Sequence, residues 1–278
     1  LPDLLTERTE ARPNPRQEEA ARVRHTPSRG NLTRVWRGLA GVVLLAAVWE
    51  LAPRWGLLDP NFVSPLSEVL GAMGRLVESG KLWEHISASL VRSAAGFGLA
   101  VATAIPLGAA IAWYTPVRQL LTPVLEAFRN TAALALLPVF MLVFGIGETS
   151  KIAIVLFACF FPILLSTIAG VAAVDVQLLR TARVLGLSSV ETFRKVVFPA
   201  AVPTIFTGIR ISGAAAILVL IAAEMIGATV GIGFLINYSN NNFLIPQMYA
   251  AILTTTLLGL AVNYGLVALE RRFSRWRA

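Results

Sequence analysis

Arg129, Asn130 and Thr131 follow Glu126 inside an otherwise apolar stretch, and Arg210 and Glu224 stand apart in another. A charge at the centre of a bilayer costs about 2.5–3.5 kcal/mol on insertion scales, so such residues ordinarily face protein or a water-filled path. Two uses are open for the first group. Glu126 and Arg129 are spaced i, i+3, which lets them pair on one helix; alternatively, Arg129, Asn130 and Thr131 line a path and offer donors to a passing anion. Arg210 and Glu224 fall within roughly 40° of one helical face but about 21 Å apart along the axis, too far to pair. Arg210 is placed to snorkel to the nearer end, and Glu224 to meet water at the other. Arg92, at the start of a further apolar run, either draws an anion inward or anchors to headgroups, the second being the more ordinary role.

Other chemistry is sparse. His25 and His85 each stand alone, far from one another in the sequence, which argues against a metal site. The single cysteine, Cys159, rules out a disulfide framework. No Ser, His and Asp cluster suggests hydrolysis. The phosphate-binding pattern G-x-x-x-x-G-K-[ST] does not occur, and Gly80-Lys81 lacks the partner glycine, so this chain is expected not to hydrolyse ATP and not to be an enzyme.

The elements that carry these residues are dictated by composition. Of 278 residues, 56% are hydrophobic and 14% charged, against roughly 25% charged in a soluble domain. Apolar runs able to cross about 30 Å of hydrocarbon lie near residues 36–52, 90–113, 120–144, 152–171, 203–226 and 248–269, which predicts an all-α, polytopic membrane protein of about six spans. The third is broken by Glu126, Arg129, Asn130 and Thr131.

The net charge of +8 is explained by topology rather than by nucleic acid. With the N-terminus inside, the cytoplasmic segments hold Arg22, Arg24, Arg29, Arg34, Arg37, Arg118, Arg180, Arg183, Arg194, Lys195, Arg271, Arg272, Arg275 and Arg277. The outer side holds only Arg54, Arg75, Lys81 and Lys151. This positive-inside bias places both termini in the cytoplasm of a plasma-membrane protein, with anionic lipid as a further contact. Trp36, Trp49, Trp55, Trp113 and Trp276 fall near span ends, as interface anchors do.

Residues 1–33 are proline-rich and charged, with too few apolar side chains to offset ordering entropy, and are expected to form a mobile cytoplasmic tail ahead of a transmembrane domain at 34–278. They carry no run resembling the apolar core of a cleaved signal peptide. Leu66, Val69, Leu70, Met73, Leu76 and Val77 recur at helical spacing, which predicts an amphipathic helix on the outer surface. It either packs on its neighbours or receives a partner. In the uncharged connection 227–247, Gly227 and Gly231 read either as a small-xxx-small packing pair or as a glycine-rich turn.

The stretch TARVLGLSSVETFRKVVFP, residues 181–199, interrupts the apolar half. Asp175 to Leu185 reads as a short helix ended by Gly186, since a glycine can take the left-handed conformation that closes a helix. Ser188 and Glu191 form a capping-box pattern that starts a second helix at once. Pro199 and Pro203 are expected to mark its end and the entry to span five. The product is a helix-turn-helix elbow on the cytoplasmic side.

Ala182, Gly186, Val196, Phe198 and Pro199 give A-x-x-x-G, nine residues, then V-x-F-P. This resembles the E-A-A-x-x-x-G-x9-I-x-L-P loop of ABC-importer permeases, with Arg180 and Thr181 replacing the usual Glu and Ala. SPLSEVLGAM, SLVRSAAGFGLA, VFGIGETSKI, PAAVPTIFTGIRIS and AAEMIGATVGIGFLI look like the nitrate, sulfonate and taurine branch and run in order over most of residues 64–236. The resemblance implies a type I permease whose elbow, through Arg183, Gly186, Leu187, Ser188, Ser189 and Glu191, fits a groove in an ATPase subunit. It implies two permeases, as a homodimer, with two ATPases and an extracytoplasmic substrate-binding protein, and no cofactor in this chain, ATP and Mg being held by the partner. The expected cargo is a small anion, carried by alternating access along Arg129, Asn130, Thr131, Arg210 and Glu224. The alternatives are a vitamin precursor or other small metabolite as cargo, or an ion-coupled carrier, which the lack of an inverted repeat disfavours.

Overall fold

The computed structural model of the chain describes residues 29–59 and 62–273. Those residues are almost wholly helical, with no strand among them. In chain order the helices are α1 (Arg29–Arg54), α2 (Leu66–Glu78), α3 (Lys81–Trp113), α4 (Thr115–Arg129), a 3₁₀ turn (Ala133–Leu136), α5 (Leu137–Phe144), α6 (Glu148–Ala172), α7 (Val176–Val184), α8 (Ser189–Thr192), a π turn (Phe193–Val197), α9 (Phe198–Gly227), α10 (Ile232–Asn241) and α11 (Ile245–Phe273).

The centre is a slab of three helices, with α6 lying between α3 and α9. Small residues let the backbones close. A Cβ on Gly96 would sit 2.7 Å from the Ile152 carbonyl oxygen, and one on Gly108 would sit 2.9 Å from that of Leu164. The order of these contacts makes α3 and α6 parallel. Gly170 meets Ala201 and Thr204 while Gly208 meets Ser166 and Pro162, so α9 runs antiparallel to α6. Buried Ala100, Ala104, Val155, Cys159, Ile163, Leu164, Ile205 and Leu220 fill the slab. The Cys159 thiol donates to the Ser212 carbonyl and the Ser212 hydroxyl to that of Cys159, each at 3.3 Å. The cysteine is thus a structural link rather than a reactive one.

A second core joins α2, α9, α10 and α11 through Val69, Ala72, Leu76, Ile217, Ile232, Leu235 and Ala251. The amphipathic helix α2 therefore packs on helices by Val69, Ala72 and Leu76, while Leu70 and Val77 remain exposed. Glu50 of α1 accepts the Ser67 backbone N–H at 2.9 Å, satisfying a free donor in the first turn of α2. Helix α10 lies where only a glycine-rich connection was expected. Gly231 serves as its turn, at φ 133°, rather than as half of a helix-packing pair.

Four helices among the described residues are long and apolar enough to cross a membrane: α3, α6, the continuous Ser189–Gly227 rod and Ile245–Arg272. Thr115–Arg129 and Ala133–Phe144 meet at 81° and bring the number to five if taken as one span. The first of the six expected runs lies in α1. The third breaks at Asn130–Ala132, where Ala132 turns extended and Pro138 opens α5. Residues 1–28 of the expected tail lie outside the described residues, and α1 begins at Arg29, inside its predicted bounds.

Pro199 and Pro203 do not end a helix: Ser189–Gly227 is one 39-residue rod. A proline ring normally collides with the carbonyl four residues back. Here the π turn Phe193–Val197 widens the backbone just before Pro199, with the Phe198 N–H donating five residues back to Phe193 O. The helix thus continues through both prolines.

Candidate functional site

The elbow is built by local signals. Asp175 Oδ1 accepts the Gln177 N–H at 2.8 Å and starts α7. At its end Leu187 N–H reaches Ala182 O at 3.1 Å and Gly186 N–H reaches Arg183 O at 3.0 Å, with Gly186 at φ 72°. This is the paired closure that a left-handed glycine allows. Ser188 Oγ accepts the Glu191 N–H at 3.3 Å, and Glu191 Oε2 accepts the Ser188 N–H at 3.1 Å, the expected capping box. Lys195 Nζ lies 2.9 Å from Glu191 Oε1.

Ala182, Thr192 and Val197 turn inward and are buried. Phe193 meets the edge of Trp113, with ring centroids 5.4 Å apart, so that tryptophan helps seat the elbow on α3. The outward face is apolar: Val184 is 87% exposed, Leu185 71% and Val190 67%. Arg183, Leu187, Ser188, Ser189 and Glu191 surround that face, Arg183, Leu187 and Ser189 also edging a cavity on its inner side.

A second feature is a cavity of about 640 Å3 among α4, α6 and α9, lined by Glu126, Arg129, Asn130, Ser166, Thr204 and Thr207 with apolar neighbours. The Arg129 guanidinium reaches Glu126 at 2.7 Å across one helical turn, so the i, i+3 pair and a place on a cavity wall coexist. Thr131 is not on that wall: its hydroxyl donates to Ala127 O at 3.1 Å. Neither is Arg210, which bonds Glu270 of α11 at 3.2 Å.

Glu224 departs furthest from expectation. It is fully buried and does not meet water, because donors from α3 and α10 enclose it. Arg92 Nη1 lies 2.6 Å from its Oε1, Ser89 Oγ lies 2.9 and 2.8 Å from its two oxygens, and Gly233 N–H donates to Oε2 at 3.0 Å. Arg92 is correspondingly buried rather than set among headgroups. Its Nη1 also donates to Val230 O at 2.6 Å. The remaining edge grips Glu148, Nη2 to Oε1 at 2.7 Å and Nε to Oε2.

The surrounding shell is equally complete. Ser89 accepts the Ile232 N–H at 2.9 Å, and His85 Nδ1 accepts that of Gly231 at 3.1 Å, which leaves the histidine proton on Nε2. Lys151 donates to the carbonyls of Gly147 at 2.9 Å and Gly227 at 2.7 Å. Two cations and two carboxylates balance. Their hydrogen-bond network joins the starts of α3 and α6, the end of α9 and the entry to α10 into one joint, about 50 Å along the rod from the elbow.

Sequence reasoning missed Ser89, His85, Glu148 and Lys151 as members of this joint. One signal was present: His85, Ser89, Arg92, Gly96 and Ala100 follow i, i+4, i+7, i+11, i+15 on α3, a polar stripe continuing into a small one on the face toward α6. No group of three or more metal-capable side chains gathers among the described residues.

Comparison with known proteins agrees with this architecture. The chain is 35% identical over 242 residues to the taurine transport system permease protein TauC of Escherichia coli strain K12, covering 84% of this chain and 87% of that protein. It is 34% identical over 253 residues to the putative aliphatic sulfonates transport permease protein SsuC of the same organism, covering 90% and 95%. Its fold matches a chain of the MetNI methionine ABC transporter in an inward-facing conformation, with TM-score 0.60 at 15% identity over 69% of this chain and 95% of that one. Residues 104–275 match the binding-protein-dependent transport system inner membrane component, and the chain belongs to that family of ABC-importer permeases.

Proposed function

We propose that this permease carries a small oxyanion-bearing solute of the sulfonate, taurine or nitrate class by alternating access, driven by ATP hydrolysis on partner subunits that bind the elbow. The observation that carries the reading is the elbow itself. Val184, Leu185 and Val190 project from a rigidly capped helix pair, and exposed apolar side chains rimmed by polar ones mark a docking surface. The capping box leads through the π turn into α9 without a break, so a push on the elbow is delivered to the rod that also walls the 640 Å3 cavity. There the Arg129 guanidinium and the Asn130 amide offer donors to an anion, with Glu126 moderating their pull so that cargo is released.

In this reading the elbow lies in the cytoplasm with both termini. ATP and Mg belong to the ATPases, a second permease copy completes the path, and an extracytoplasmic receptor delivers the cargo. Names of relatives favour a sulfonate, and the receptor's binding preference between taurine, nitrate and a vitamin precursor tests that choice. The mechanism is tested by reconstituting the permease with its ATPase and receptor and following labelled taurine. Gly186→Pro and Leu187→Glu are expected to insert normally, retain ATP hydrolysis and lose at least tenfold in uptake. Unchanged coupled uptake in both variants, or uptake by this chain without an ATPase, overturns the reading.

A further inference from the structure

A second cavity, of about 470 Å3, separates the elbow from the corner where α3 passes into α4. Its wall includes Arg118 of α4 and Arg183 of α7, together with Thr115, Ser189 and Thr192. Its composition is one-sided. Neither guanidinium has an ion-pair partner among the described residues, and no carboxylate lines the wall. The nearest acids along the chain are otherwise engaged, Asp175 capping α7 and Glu191 held by Ser188 and Lys195. The three hydroxyls make no side-chain hydrogen bond among the described residues, although Thr192 is only 8% exposed.

We infer that this cavity binds an oxyanion of the phosphate or sulfonate type, bridging the elbow to the body of the bundle. The ligand class follows from the donors. Guanidinium forks match tetrahedral oxyanions bidentately, and hydroxyls complete the shell, whereas a cation would meet only positive charge. A bound oxyanion links α4 to α7 and α8, so it stiffens the lever at its root. The site is separate from the Arg129 cavity and independent of the cargo: its failure leaves the transport reading intact, and the reverse also holds.

The shared chemistry has two sources, a phospholipid headgroup or a free oxyanion, which one experiment distinguishes. Trp113 lies on the cavity wall, so the part of the purified full chain's tryptophan fluorescence that Trp113→Phe removes reports binding as inorganic phosphate or sulfate is titrated against chloride at matched ionic strength. A saturable response is expected, at least tenfold weaker in Arg118→Ala and in Arg183→Ala. It should be weakened less in Arg118→Lys, which keeps the charge but loses the fork. Circular dichroism selects folded variants, and the smaller change Thr192→Val gives a further test of the wall. Repeating the titration in nanodiscs assigns the source. Suppression by phosphatidylglycerol relative to phosphatidylcholine identifies the headgroup, and equal titration identifies the free anion. Absence of a saturable response beyond chloride in the millimolar range, or an undiminished response in the folded Arg118→Ala and Arg183→Ala chains, overturns the site.

Discussion

The two ends of the Ser189–Gly227 rod use charge in opposite ways. At the elbow, Glu191 serves residues three and four positions away, Ser188 and Lys195, and stays on the surface. At the far joint, Arg92 bonds Glu148 and Glu224, partners distant in sequence, with Arg92 and Glu224 removed from water. The first arrangement can move as a unit, because its hydrogen bonds are internal to the segment. The second ties three helices and a turn together, and cannot open without exposing charge to an apolar interior. The joint is thus tied across helices, whereas the charged contacts of the elbow stay within its own segment.

The sharpest way to break this contrast is at the joint. Glu224→Ala leaves Arg92 without its buried partner and strands the Ser89 hydroxyl and Gly233 N–H, so a loss of about 3–5 kcal/mol is expected. Thermal unfolding of the purified protein should show it as a large fall in midpoint. Arg92→Met with Glu224→Met should recover part of the loss, because the pair is replaced by packing; a double variant as unstable as Glu224→Ala would contradict the account. Gly108→Val comes next. Its Cβ would approach the Leu164 carbonyl at 2.9 Å and force α3 from α6, costing about 1–3 kcal/mol, and the same melting assay should order it below Glu224→Ala.

At the elbow the expected effects on stability are smaller. Ser188→Ala removes the cap of α8 at about 1 kcal/mol of local helix stability. Faster amide exchange should be confined to residues near 188–192 while the midpoint hardly moves; global destabilisation equal to that of the joint variants would remove the distinction between the ends. Glu126→Gln sits at the bottom of the scale. Its partly exposed pair with Arg129 contributes at most about 0.5 kcal/mol, yet freeing the guanidinium should lower the KM for an anionic cargo several-fold with little change in melting. An unchanged KM would argue that the Arg129 cavity is not on the path.

What was legible beforehand divides along the same line. Asp175, Gly186, Ser188 and Glu191 announced the elbow because caps and left-handed closures are set by neighbours a few residues apart. The Glu126–Arg129 spacing announced its pair for the same reason. Pro199 misled, since the widening that accommodates its ring arises in the residues just before it and carries no separate sequence mark. Arg210 and Glu224 were rightly judged unable to meet, but their actual partners, Glu270 and Arg92, lie on other helices. Helix α10 escaped notice because its short apolar run rests on Gly231 and Gly233 packing against Glu224, a contact created only by the fold.

The sequence by itself determined that the chain is helical and membrane-bound, where its elbow begins and turns, and which family it joins, because hydropathy, capping and motif spacing act over a few residues at a time. Only the tertiary structure decided which charges are buried together, which cavity Arg129 and Asn130 face, and that Arg118 and Arg183 share a wall. Those outcomes depend on which helices lie side by side, and that is settled by the packing of small residues such as Gly96 and Gly108 against a distant backbone.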